Sequence, residues 1–97
     1  MVTAIEMRAL MLNLQPTQKE SKEIMKRKNK VSKILTKMNT KNKYELKDIL
    51  DKISKNVFFG SLELNECPHK QVLHVLKKLG FDVKTSKKDI RPTYIYW

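Results

Sequence analysis

Residues 61–85 read SLELNECPHKQVLHVLKKLGFDVKT, and the succession of patterns within them decides the fold. Ser61-Leu62-Glu63-Leu64-Asn65 alternates polar and apolar, as a short half-buried strand does. Pro68 suits the first turn of a helix, where its missing amide costs nothing. Val72, Leu73, Leu76 and Leu79 then line one face of a helix from about 69 to 79. Gly80 fits the left-handed position that closes such a helix, with Phe81 folding back onto it. Phe81, Val83 and Thr85 alternate with Asp82 and Lys84, which predicts a second strand. Thr93-Tyr94-Ile95-Tyr96-Trp97 is β-branched and aromatic throughout and predicts a third, antiparallel to the second and joined to it by residues 86–92. Either Ile95 and Trp97 or Tyr94 and Tyr96 must cover the core. The aromatics are expected to pack there; left exposed, they would stack bases.

Upstream of this β-α-β-β unit the pattern is helical. Thr3-Ala4-Ile5-Glu6 has the spacing of a capping box and starts a helix over roughly 4–13, which Asn13 to Pro16 end. Thr17-Gln18-Lys19-Glu20 repeats the box and starts a second helix, with Ile24, Val31, Leu35 and Met38 on one face. The polar run 39–43 is either a break, which is the preferred reading, or an exposed part of one continuous helix. Asn42 with Glu45 can cap a third helix carrying Leu46, Ile49, Leu50 and Ile53 at i, i+3, i+4 and i+7. The expected fold class is α+β, with basic helices over 1–57 followed by the β-α-β-β unit with a small antiparallel sheet over 58–97. The 97 residues fit a single domain.

The charge is one-sided. Lysine plus arginine number 21 against 10 acids, a formal net charge of +11, which points to a polyanionic partner. Residues 26–43 hold eight cations and no acid. Lys19, Lys22, Lys26, Lys30, Lys33, Lys37 and Lys41 advance by three or four residues each time, and on one helix they form a stripe about 120° from the apolar face. If helical to Lys41, the stripe is roughly 33 Å long and faces several phosphates of a duplex. Lysine lacks the arginine fork, so the stripe promises affinity more than base readout. A merely solvated face is the alternative, but such faces normally mix both signs. The expected nucleic-acid contacts are these seven lysines and Arg27, with Lys77, Lys78, Lys87, Lys88 and Arg91 as a second surface. Helix and basic hairpin together resemble the second half of a winged helix, although residues 61–67 leave no room for the helix that should precede.

Chemistry is otherwise sparse. Two glycines exclude a Walker or Rossmann phosphate loop. A single cysteine excludes an internal disulfide. Cys67, His69 and His74 fall short of the four ligands of structural zinc; Cys67 is expected beside the helix cap and both histidines at the surface. Asp48 and Asp51 are expected to pair with nearby lysines. No catalytic residue, metal or cofactor is expected. No apolar run reaches the length that spans a bilayer, and no signal peptide is recognisable, so a soluble cytoplasmic protein is expected.

Thr3-Ala4-Ile5-Glu6-Met7-Arg8-Ala9-Leu10, Leu76-Lys77-Lys78-Leu79-Gly80-Phe81-Asp82-Val83 and the terminal Tyr94-Ile95-Tyr96-Trp97 resemble a group of small tailed-phage proteins. The resemblance covers the two ends, about a third of the chain; the middle is longer and more basic. It implies a viral origin, the host cytoplasm as location, and roles in virion assembly, host takeover or counter-defence. Three functions are therefore open: nucleic-acid binding, docking on an acidic host or viral protein as an inhibitor or assembly factor, and sequestration of a small anionic nucleotide. The oligomeric state is not legible.

Overall fold

The computed structural model describes residues 1–85 and 93–97. Four helices precede or interrupt a three-stranded antiparallel sheet: α1 (Ala4–Met11), α2 (Gln18–Leu35), α3 (Thr40–Lys55), β1 (Ser61–Leu64), α4 (Lys70–Lys78), β2 (Asp82–Thr85) and β3 (Thr93–Tyr96). The α+β class and the helices-first order are those expected from the sequence. A 3₁₀ turn, Val57–Phe59, leads into β1.

Both capping boxes form. Thr3 and Thr17 accept from the amides of Glu6 and Glu20, and each glutamate accepts the amide of its threonine at 3.0 Å. The Thr17 amide, then its hydroxyl, hold the Glu20 carboxyl below the ordinary carboxylate range. Gly80, at φ +96°, closes α4. Its amide donates to Lys77 and that of Phe81 to Leu76, the paired bonds of a Schellman motif. A Cβ on Gly80 would meet Arg27 at 3.4 Å and Ala4 at 3.5 Å, so the turn also lets α1 and α2 approach α4.

The sheet order is β1-β3-β2, so β1-α4-β2 is a split β-α-β unit with the last strand inserted between the first two. Leu62, Ile95 and Val83 stand in register and face the helices. Val72, Val75 and Leu76 of α4, with its C-cap Leu79, are fully buried between this sheet face and α2 and α3. Trp97 tethers the chain end: its amide donates to Gly60, its indole to Val57, and its ring meets Phe81 edge-on at 6.2 Å.

Two expectations are corrected. The helix break covers residues 36–39, mostly ahead of the expected 39–43, and Asn39 rather than Asn42 caps α3. Met38 is buried and turns the chain inward, while Thr36 Oγ1 donates back to Lys33. Asn42 lies inside α3, 4% exposed, and its amide group donates to Gln71 at 2.8 Å and lies 3.3 Å from His69 Nδ1. His69 is exposed, as expected, and it also caps α4, accepting from the Gln71 amide at 3.1 Å while its own amide donates to Glu45. Finally, Tyr94 and Tyr96 stay outside; Thr93, Ile95 and in part Trp97 take the core side.

Candidate nucleic-acid interface

The stripe is built on α2 because the helix has one face to bury. Ile24 and Val31 are buried and Ile34 and Leu35 half-buried, so residues on the other side are driven outward. Lys19, Lys22, Lys26, Lys30 and Lys33 occupy that outer side and are all exposed. They span about 21 Å of helix at 1.5 Å per residue. The expected 33 Å rod is shorter because Lys37 falls in the turn and Lys41 in the first turn of α3; both remain exposed.

Within α2, charge pairing sorts the cations by position. Among the described residues none of the seven stripe lysines has a carboxylate partner. The two acids of α2 are committed elsewhere, Glu20 to its cap and Glu23 to Arg27. Cations on the flanks of α2 are spent within the chain. Lys28 pairs with Glu6 at 3.1 Å. Arg27 Nη1 donates to the Lys78 carbonyl at 3.1 Å, a positive group on the C-terminal end of α4. Its Nε lies 3.0 Å from Glu23, near enough for attraction but poorly aligned as a hydrogen bond. Arg27 thus joins two helices, a role invisible in the spacing that grouped it with the stripe.

The same contact brings the last turn of α4 beside α2, and Lys77 and Lys78 there are exposed. Lys87, Lys88 and Arg91 lie outside the described residues. Residues 65–69 form no helix, so α4 lacks the leading helix of a winged-helix reader. Met25, 63% exposed, lies with Ser21, Lys22, Lys26 and Asn29 in a shallow groove on the outer face of α2, an apolar contact inside the cationic field.

Other surfaces are less suited to an anion. A cavity of about 580 Å³ between the N-terminus and α3 has Val2, Leu35, Leu46 and Leu50 as its floor and Lys43, Lys47 and Asp51 at its rim. It offers two cations but no aromatic ring for a base. Lys52 pairs with Asp48 at 3.2 Å, as i, i+4 spacing predicts. Cys67 is exposed, and among the described residues no three His, Cys, Asp or Glu side chains converge as metal ligands. Among the same residues no helix is long and apolar enough to cross a membrane. Comparison with protein-family models, with curated proteins and with solved structures finds no match to this chain.

Proposed function

We propose that this chain is a small, non-enzymatic, phage-type protein that binds nucleic acid by its phosphate backbone through the outer face of α2. One observation carries the reading. The cations that point outward on α2 have no carboxylate partner among the described residues, whereas Arg27 and Lys28 on its flanks are paired. A field of unpaired point charges on a rigid rod is suited to phosphates and carries little base information. Lys77 and Lys78 extend the contact. A mobility-shift series across salt tests it. Five lysines on phosphates give a slope of about −4.5 in log K against log salt on duplex DNA, hence roughly a 500-fold loss from 50 to 200 mM. A slope near zero overturns the reading.

A second reading, docking on an acidic protein, is favoured by a different observation. Phe58 and Phe59 are 75% and 78% exposed in the 3₁₀ turn that packs against α1, whose Leu10 is also exposed. Exposed aromatics of this kind anchor protein interfaces, and the +11 charge complements an acidic rim. Recovery of one stoichiometric acidic protein from nuclease-treated host lysate, lost in a Phe58→Ser, Phe59→Ser variant, is the outcome this reading requires. Loss of every partner on nuclease treatment favours nucleic acid.

A further inference from the structure

We propose that Tyr94 and Tyr96 form a stacking platform for the bases of a single-stranded nucleic acid, a site that rests on the nucleic-acid reading of α2 and narrows its ligand.

The placement follows from strand parity. Thr93 and Ile95 are 1% and 0% exposed, so the alternation of β3 puts Tyr94 and Tyr96 on the opposite face. β3 is the central strand, so both rings sit in the middle of that face rather than on an edge. The residues in register with them on the two flanking strands are exposed or half-exposed and polar: Glu63 and Lys84 beside Tyr94, Ser61 and Asp82 beside Tyr96. The two rings are nearly parallel, 26° apart in plane with centroids separated by 6.3 Å. Lys84 Nζ lies over the Tyr96 ring at 5.5 Å.

This surface is built differently from the α2 stripe. Two adjacent, similarly oriented aromatic faces on an open sheet match successive unstacked bases, because every base has a π-face. Glu63 and Asp82 repel phosphates and have no cationic partner among the described residues. They therefore keep the backbone off the centre of the sheet. Their oxygens accept hydrogen bonds, and the exocyclic amine of an unpaired cytosine is a matching donor. In a duplex the bases are stacked on one another and their faces are unavailable, so the platform acts only on single strands. Division of labour follows: α2 holds phosphates of either form, and the sheet adds affinity for unpaired bases.

The test compares a 12-nucleotide oligo-dC strand with a duplex of equal length, by fluorescence anisotropy at one salt concentration. A Tyr94→Thr, Tyr96→Thr variant keeps strand-forming, solvent-facing residues. It is expected to lose about 30-fold or more on the single strand and less than about twofold on the duplex. Tyr94→Phe, Tyr96→Phe, which keeps the rings, is expected to bind the single strand within about twofold of the parent chain. Equal single-strand affinity of the Thr variant and the parent overturns the platform; so does an equal loss on strand and duplex. Failure of the parent chain to bind either probe removes the underlying α2 reading instead, which separates the two outcomes.

Discussion

Reversing Lys26, Lys30, Lys33 and Lys37 to glutamate is expected to abolish retention of the chain on DNA or RNA at moderate salt and to leave the fold in place. Each reversal moves the charge by two, so four remove eight units from a formal +11. Attractions become repulsions along the outer face of α2, where the lysines have no carboxylate partner among the described residues, so the affinity is expected to fall by at least about 1000-fold. The fold is spared because all four side chains are exposed and none holds a carboxylate among the described residues. Surface changes of that kind stay within about 0.5 kcal/mol each. Arg27 provides the contrast. Arg27→Gln removes the ion pair with Glu23 and the bond to the Lys78 carbonyl. Discounted for its partial exposure, that loss is about 1 kcal/mol, a melting-temperature drop of about 4–8 °C. The salt slope of the Arg27→Gln variant is expected to match that of the parent chain. Circular dichroism melts and mobility shifts on the two variants check both halves. A quadruple variant that still binds sinks the role given to α2.

Which features could be read from the sequence depends on how far apart the interacting groups lie. The two capping boxes were legible because both partners sit within four residues, Thr3 with Glu6 and Thr17 with Glu20. Gly80 was legible because the Schellman bonds it permits are local. The sequence leaves the start of α3 ambiguous because Asn39 and Asn42 satisfy the same capping rule. What separates them is distant: Asn42 is needed inside the helix to reach Gln71, 29 residues on. Spacing alone groups Arg27 with the outward cations, because its partner carbonyl lies 51 residues away. The last strand has the same difficulty in another form. Tyr94, Ile95, Tyr96 and Trp97 are apolar on both faces, so periodicity fixes no side, and the choice falls to the register with Leu62 and Val83. The stripe was legible as a pattern. That its lysines are unpaired while Lys28 is paired required the fold, since Glu6 is on another helix.

Leu76→Ala is expected to cost about 2–5 kcal/mol, against a total of about 5–15 kcal/mol for a small domain. Leu76 has no exposed surface and lies in the last turn of α4, the element packed against α2, α3 and β2 together. Its removal leaves a cavity that neighbouring helices fill only by moving apart. The melting temperature is expected to fall by about 10–30 °C, whereas Leu10→Ala, at 58% exposure on α1, is expected to shift it little. The binding surface depends on the same packing. Alone, α2 is an 18-residue helix with like charges at i, i+3 and i+4, which destabilise it, and isolated helices of that length are marginal in water. Its helicity therefore derives from burying Ile24 and Val31 and from the Arg27 bond to α4. Heating the Leu76→Ala variant should therefore end nucleic-acid binding at the temperature where its tertiary structure melts. Binding that persisted tens of degrees above that midpoint would mean the lysines act as a disordered polycation, and the rod would have no part in recognition.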